Sequence, residues 1–171
     1  MASHQILPLA GYTPTIGRLV GMLTFSREKL IKAVDGLSIA DLDHLQDAAS
    51  NSIGGLLAHV TAVERFYQVV TFDDREPSPA EAAAWDAALN LGDAGRRHLR
   101  GRTLHDYLAD LAEVRDVTLA ALATRDDEWL ERPLPLEATL NAHWAWFHVA
   151  EDETNHRGQI SWLRARLPAS L

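Results

Sequence analysis

The sequence contains no cysteine among its 171 residues. The chain therefore cannot form a disulfide bond, a thiolate zinc site or a covalent intermediate on a thiol of its own. Any thiol that takes part in its chemistry has to be a small molecule.

Long apolar runs and an excess of basic charge are also missing. No apolar run approaches the roughly 18 residues of a membrane span, and the first ten residues lack the basic start and long apolar segment of a secretory signal. We therefore expect a cytoplasmic protein. The formal net charge is -8 at pH 7, which repels phosphate backbones, so neither a membrane nor a nucleic acid is expected as a partner.

Apolar residues recur at intervals of three and four in four long segments, and no segment shows the alternation of a strand. Residues that cap helices mark the limits, such as Thr103 and Asp106, which resemble a capping box. We therefore predict an all-α four-helix bundle, formed by a single domain over residues 1–171 in which residues 1–12 are a loose leader. The predicted helices span residues 14–35, 52–71, 103–122 and 141–166, and residues 125–140 form a connector.

The connection between the second and third predicted helices, residues 73–102, is longer than is usual in bundles. Its alanine-rich part, residues 80–91, is predicted as a short helix. Long loops often carry function, so two interpretations stay open for this crossover. One is a lid over a site, in which basic residues bind a carboxylate, and the other is a solvated charged connection. The basic residues are Arg96, Arg97, Arg100 and Arg102.

Polar residues interrupt the apolar stripes of the second and fourth helices. His59 lies in the first stripe, and Asp152 and His156 lie in the second, one turn or about 6 Å apart along the axis. A buried carboxylate and imidazole are costly unless they are paired, hydrogen-bonded or bound to metal. If the two helices pack antiparallel, the three side chains meet, and two imidazoles with one carboxylate have the composition of a metal site with open positions.

Several neighbours of these residues need an interpretation. His148 lies one turn before the aspartate and is interpreted as a fourth ligand, as an acid–base or orienting group, or as a hydrogen-bonded histidine at the core edge. Glu64, Glu151 and Glu153 are predicted to lie on a solvated face or in helix–helix ion pairs. Gly158 costs its helix about 1 kcal/mol relative to alanine, and we attribute it to a tight helix crossing.

Residues 52–64 and 148–159 resemble the DinB-like superfamily, and the similarity extends over most of the chain. The resemblance implies a four-helix bundle, often dimeric, in which a histidine of helix two and a pair one turn apart on helix four bind a divalent metal. His59 and His156 match the histidine ligands. Asp152 replaces a histidine of many members, and a branch that is similar to mycothiol-dependent maleylpyruvate isomerases has a glutamate at this position.

Members of known activity resemble thiol-dependent enzymes, among them bacillithiol-dependent S-transferases. The resemblance and the residues together favour a metal-dependent transferase in which His59, Asp152 and His156 bind Zn2+, with Ni2+, Fe2+ and Mn2+ as alternatives. A small thiol such as bacillithiol would attack a small-molecule substrate as the thiolate. A homodimer is implied by the resemblance alone. Three alternatives stay open: a metal-dependent hydrolase, a metal-binding or stress-associated bundle protein without catalysis, and a buried hydrogen-bonded network without metal.

Overall fold

The structure, a computed structural model, describes residues 5–168, and most of these residues are helical. Within these residues the only pairing of strand type is an isolated bridge between Pro133 and Asn141, so the all-α prediction is confirmed. The long helices are α1 (Pro14–Val34), α3 (Ile53–Thr71), α6 (Leu104–Leu122) and α7 (Ala142–Arg164). The short ones are α2 (Ile39–Asp43), α4 (Pro79–Asn90), α5 (Gly92–His98) and a 3-10 turn (Asp127–Glu131).

Short polar side chains cap the N-termini of three of the four long helices close to where the sequence places them. Ser52 accepts a hydrogen bond from a backbone N–H of the first turn of α3. Thr103 and Asp106 form the expected capping box on α6, and Asn141 caps α7 in the same way as Ser52. These hydrogen bonds satisfy backbone groups that have no partner inside the helix, which is why local sequence alone locates the ends.

The four long helices surround the core and touch in the order α1, α7, α3, α6 and back to α1. The core between them consists of buried apolar side chains from all four helices, including Leu19, Leu56, Leu111 and the fully buried Trp146. The indole N–H of Trp146 donates a hydrogen bond to Thr71 Oγ1 at 3.2 Å. No helix between residues 5 and 168 combines the length and the hydropathy of a membrane span.

A group of charged and hydroxyl side chains lies inside this core, and we call it the polar cluster. Arg115 Nε donates to Glu64 Oε1 at 2.7 Å, and Arg27 donates to Glu64 Oε2 at 2.7 Å. Arg27 Nε also donates to Glu153 Oε1 at 2.5 Å. Both glutamates are fully buried. The members are Ser26 and Arg27 of α1, Glu64 of α3, Arg115 and Thr118 of α6, and Glu153 of α7.

Every carboxylate oxygen of the polar cluster accepts at least one hydrogen bond, and its two positive charges match its two negative ones. Burial alone would raise the pKa of Glu64, but the neighbouring guanidinium groups of Arg115 and Arg27 hold it below its ordinary value. For Glu64 and Glu153, the ion-pair interpretation is therefore the right one, and the solvated face is wrong. A buried ion pair adds little net stability, but removal of one partner leaves an uncompensated charge.

The N-terminal segment, residues 5–12, contains no helix but lies against α1 rather than apart from it. A Cβ atom on Gly17 would stand 2.6 Å from the backbone nitrogen of Leu9, so only glycine allows this approach. The expected loose leader is therefore in contact with the fold at this point, and its first residues, 1–4, lie outside the described part.

The crossover between α3 and α6 is more helical than the sequence indicates. The predicted short helix is observed as α4, whereas α5 was not predicted because its two glycines resemble a loop. A sharp break at Leu91 and Gly92, both with positive φ, separates the two helices. Arg96 then pairs with Asp93 one turn earlier, which stabilises the short helix α5.

The N-terminus of α1 is capped from a distant part of the chain. Asp127, in the 3-10 turn, accepts hydrogen bonds from Thr13 Oγ1 at 2.5 Å and from the backbone nitrogens of Thr15 and Ile16 at 3.1 Å. Desolvation would raise the pKa of Asp127, but these hydrogen bonds lower it to about 2. The carboxylate thus fastens the connector before α7 to the start of α1.

The substitution Asp127→Ala should lower the free energy of unfolding by about 1 kcal/mol near neutral pH. Because the folded pKa lies below the unfolded one, the carboxylate stabilises the fold above roughly pH 4 and loses this effect as the pH falls toward its folded pKa. Urea unfolding of wild type and variant at about pH 7 and about pH 3 measures the change. Asp116→Ala, at an exposed site in α6, is the control and should change the free energy of unfolding by less than about 0.5 kcal/mol. An equal effect of Asp127→Ala at both pH values would contradict the capping role.

The substitution Arg115→Met should destabilise the fold by about 3–5 kcal/mol, because it leaves buried carboxylates without a counter-charge. The matched control is Arg65→Met, since Arg65 meets Glu113 at 3.5 Å on the surface. This control should cost less than about 1 kcal/mol. Urea unfolding followed by circular dichroism compares the two, and similar losses for both variants would show that the polar cluster does not hold the helices together.

Candidate metal centre

Helices α3 and α7 pack antiparallel, and this direction brings the polar residues of their stripes together. The rings of His59 and His156 meet edge to face with centroids 4.7 Å apart. Two turns further along α3, the ring of Tyr67 meets that of His148, which lies earlier in α7, at 5.9 Å. The two contacts show that α3 and α7 run in opposite directions, as the metal-site hypothesis requires.

The structure brings together the three residues that the sequence singled out. Asp152 Oδ1 lies 3.2 Å from His156 Nε2 and 3.6 Å from His59 Nε2. The three atoms that the side chains offer as ligands all lie within 4.8 Å of one another. Each side chain is 12 to 14% exposed, so the group is shielded but not sealed from solvent.

Hydrogen bonds on the far side of each imidazole ring turn the Nε2 atoms inward. His59 Nδ1 lies 2.8 Å from the carbonyl oxygen of Ala88 in α4. Because a carbonyl oxygen only accepts, Nδ1 carries the hydrogen, and the neutral ring presents the lone pair of Nε2 to the site. His156 Nδ1 makes the corresponding contact with Gln159 Oε1 at 3.4 Å. Such outer partners fix the orientation and tautomer of metal-binding histidines.

The electrostatics of the three side chains favour a cation between them. Burial would raise the pKa of Asp152, but the contacts with His156 and His59 hold it well below its ordinary value, so the carboxylate is ionised. Burial lowers the pKa of His59, yet the contacts with Asp152 and Ala88 outweigh burial and raise it overall. Among the described residues, Asp152 Oδ2 is buried and has no hydrogen-bond partner.

An unpartnered buried carboxylate oxygen beside two inward-facing imidazole nitrogens fits a divalent metal ion. The ion would compensate the desolvated charge of Asp152 and would take the Nε2 lone pairs of His59 and His156. This donor set suits Zn2+, Ni2+, Fe2+ and Mn2+ alike. Three protein ligands leave coordination positions for a small molecule, which is the arrangement of catalytic rather than structural sites.

His148 lies outside this group. Its Nδ1 atom is 3.1 Å from Glu151 Oε2, and its ring stacks on that of Trp144 with centroids 4.9 Å apart. About a third of its side chain is exposed. Its contacts are those of a histidine at the edge of the core, with Glu151 rather than Asp152 as its hydrogen-bond partner.

Two residues near the centre were not predicted from the sequence, Ala88 and Tyr67. Ala88 contributes only its backbone carbonyl, and no side-chain pattern signals such a role. Tyr67 follows His59 by eight residues, a helical spacing that places both on the face of α3 that meets α7 and was a usable signal. Burial and the charge of Asp152 raise the pKa of Tyr67 to about 12, so its hydroxyl stays protonated at neutral pH.

One expectation about the surroundings was wrong, and the arginines of the crossover have partners of their own. A Cβ atom on Gly158 would meet nothing within 4 Å, so no tight helix crossing explains this glycine. In the basic cluster of the crossover, Arg96 and Arg102 pair with carboxylates of the chain itself, Arg96 with Asp93 and Arg102 with Asp110. They are thus engaged away from the three metal-site residues, and the crossover reaches the centre through α4 instead.

Fold and site together define a helical protein with a two-histidine, one-carboxylate centre that fits a divalent ion. The chain belongs to the mycothiol-S-transferase family, whose model matches residues 18–169. This is a family of the DinB-like type, so the resemblance drawn from the two motifs is confirmed.

Comparison with solved structures agrees on the fold. A conserved protein of locus from Enterococcus faecalis has a crystal structure that matches with a TM-score of 0.66 at 14% identity. The match covers 85% of this chain and 92% of that chain. At this identity the likeness concerns the fold alone. Comparison with curated proteins finds no match.

Zn2+ binding should weaken as the pH is lowered from about 8 to about 6, because protons compete for His59, whose pKa is raised. The variants His59→Ala and Asp152→Ala should each lower the affinity by roughly a hundredfold or more. His148→Ala is the matched control and should change the affinity by less than about threefold. Isothermal titration calorimetry measures these affinities, and loss of binding in the control alone would move the site to His148.

Proposed function

We propose that this chain is a divalent-metal-dependent transferase that joins mycothiol, or a closely similar small thiol, to an electrophilic small molecule. The observation that carries the proposal is the convergence of His59, Asp152 and His156 around an unpartnered buried carboxylate oxygen. Membership of the mycothiol-S-transferase family supports the reaction class. Zn2+ is the proposed ion, with Ni2+, Fe2+ and Mn2+ as alternatives.

The identity of the thiol follows from two arguments. The chain has no cysteine, so the sulfur of an S-transfer reaction has to come from outside. The family description supports mycothiol in place of bacillithiol, the example that the resemblance to the wider superfamily supplied. In the overall reaction the thiol loses its proton, a sulfur–carbon bond forms, and the leaving group of the substrate departs with the bonding electrons.

The residues of the centre prepare this reaction. A divalent ion, when bound, supplies the positive charge that lowers the pKa of a thiol beside it. Asp152, ionised because its pKa is depressed, balances part of that charge. The contacts with Ala88 and Gln159 hold the rings of His59 and His156, so that little reorganisation is needed when a ligand arrives.

We assign the acid–base role to His148. Its contact with Glu151 orients the ring through Nδ1 and leaves Nε2 to accept or donate a proton. Tyr67, which stays protonated and whose ring meets that of His148, is proposed as a hydrogen-bond donor to the substrate. The exposure of His148 supports contact with a substrate that enters from solvent.

A homodimer and a cytoplasmic location belong to the same proposal. Exposed apolar side chains lie on neighbouring parts of the surface, with Phe25 on α1, Phe147 on α7, and Ile6 and Leu7 in the N-terminal segment. An apolar surface of this kind supports contact with a second copy. The cytoplasm is supported because it keeps small thiols reduced.

The test is the conjugation of monochlorobimane by the purified protein with Zn2+ and a panel of mycothiol, bacillithiol and glutathione. We expect a rate that requires both metal and mycothiol and that falls by roughly a hundredfold or more in His59→Ala. His148→Ala should retain the metal but lower kcat by roughly a hundredfold.

Other outcomes decide between the alternatives. Hydrolysis of an ester without any thiol would favour a metal-dependent hydrolase. If the protein retains its metal but turns over none of the thiols, a metal-binding protein without catalysis is favoured. If it holds no metal and a chelator leaves its stability unchanged, a hydrogen-bonded network is favoured. Either of the last two results would overturn the transferase.

A further inference from the structure

Three side chains surround the ring of His148, the residue to which the acid–base role is assigned. Its Nδ1 atom lies 3.1 Å from Glu151 Oε2. The indole of Trp144 lies against one face, with ring centroids 4.9 Å apart and planes 14° from parallel, and the ring of Tyr67 meets the imidazole edge to face at 5.9 Å. Within the described part of the chain, Nε2 of His148 has no hydrogen-bond partner, so this nitrogen stays free for a substrate.

The carboxylate of Glu151 is itself held by a residue one turn further along α7. The amide Nδ2 of Asn155 donates a hydrogen bond to Glu151 Oε1, while Oε2 faces His148. The three residues follow one another at spacings of three and four, so they form one line along the helix. Because an ionised carboxylate only accepts, Nδ1 of the neutral His148 ring carries the hydrogen. The line therefore selects the tautomer in which Nε2 can accept a proton.

Trp144 is fixed in the first turn of α7. Its backbone nitrogen donates a hydrogen bond to Asn141 Oδ1 at 2.9 Å, and its ring meets that of Tyr67 edge to face at 6.4 Å. Trp144 is nevertheless 38% exposed, whereas Trp146, two residues later, is fully buried. Burial in the core accounts for Trp146 but not for Trp144. The stacking partner of Trp144 is instead His148, one turn later in the same helix.

We propose that Trp144 and Asn155 are positioning residues for His148, a proposal that rests on the acid–base role given above. Trp144 fixes the plane of the imidazole ring, and Asn155 fixes its tautomer by holding the carboxylate of Glu151. A partly exposed histidine without such contacts samples several rotamers and both tautomers, and only some of these present the Nε2 lone pair to a substrate. The ring is therefore arranged before the substrate arrives, which lowers the reorganisation that proton transfer requires.

Variants at the two positions separate the two effects. Trp144→Leu removes the stacking ring but leaves the contact with Glu151, and Trp144→Phe keeps a ring that can stack. Asn155→Ala removes the amide donor but leaves the indole in place. Trp162→Leu is the matched control, because Trp162 is an exposed tryptophan of the same helix whose ring contacts Arg166 instead.

The first measurement is NMR of the metal-free full chain, isotope-labelled in its histidine rings, at about pH 8, where an ordinary histidine is neutral. Long-range proton–nitrogen correlations should show the Nδ1–H tautomer of His148 in wild type and a mixture of both tautomers in Asn155→Ala. In Trp144→Leu the tautomer should be kept, but the upfield ring-current shift of the carbon-bound protons of His148 should be lost. Trp144→Phe should retain most of this shift, and Trp162→Leu should resemble wild type.

The second measurement is the conjugation of monochlorobimane with Zn2+ and mycothiol present. Trp144→Leu and Asn155→Ala should each lower kcat by roughly tenfold or more, with KM changed by less than about threefold. Trp144→Phe should recover most of the loss, and Trp162→Leu should have no effect. In a His148→Ala background, Trp144→Leu should lower kcat no further, because a positioning residue acts only through its partner. All variants should keep the circular dichroism and the Zn2+ affinity of wild type.

The two measurements separate this proposal from the proposed function. If the NMR signals of His148 are unchanged in Asn155→Ala and Trp144→Leu, the positioning roles are wrong, whether or not wild type turns over mycothiol. If wild type turns over mycothiol and the double variant with His148→Ala loses further activity, or Trp162→Leu loses as much, the positioning roles are wrong and the transferase stands. If the signals change as expected but wild type turns over no thiol, the ring is positioned as proposed and the transferase fails.

Discussion

The buried pairs of Arg27 and Arg115 with Glu64 and Glu153 constrain all four long helices at once, because every long helix supplies at least one member. Four formal charges in a core are tolerated only when they cancel and when each oxygen accepts hydrogen bonds, as they do in the polar cluster. Apolar side chains can slide past one another at small cost, whereas these donors and acceptors have fixed directions. The polar cluster therefore selects one packing of the helices from several that the apolar stripes allow.

The candidate metal centre depends on that selection. Asp152 and Glu153 are consecutive residues of α7, so their side chains point about 100° apart around the helix axis. When Glu153 enters the polar cluster, Asp152 is turned toward α3, and the binding of Glu64 in the same cluster holds α3 so that His59 faces it. The donors of the centre are thus positioned by interactions that the same two helices make on other faces.

Local signals explain what could be predicted from the sequence. The helix caps and the apolar stripes depend on residues only a few positions apart in the sequence. The limits of the long helices follow from the caps, and the three site residues follow from their positions within the stripes. The partners in the polar cluster depend on packing between helices and are not encoded in any one segment. A signal was nonetheless present, since Arg27 lies on a core stripe between Leu23 and Leu30. Gly158 was misinterpreted because a glycine beside open space and one at a helix crossing look alike in the sequence.

The bond between His59 and the carbonyl of Ala88 has a consequence for how this sequence can evolve. The acceptor is a main-chain atom, and helix α4 has no buried side chain. Almost any exchange of residues in α4 that preserves the helix would leave this contact in place. A deletion or insertion between Thr71 and Ala88 would instead displace the acceptor, so α4 is free to change in composition, whereas the length of chain that leads to it is constrained.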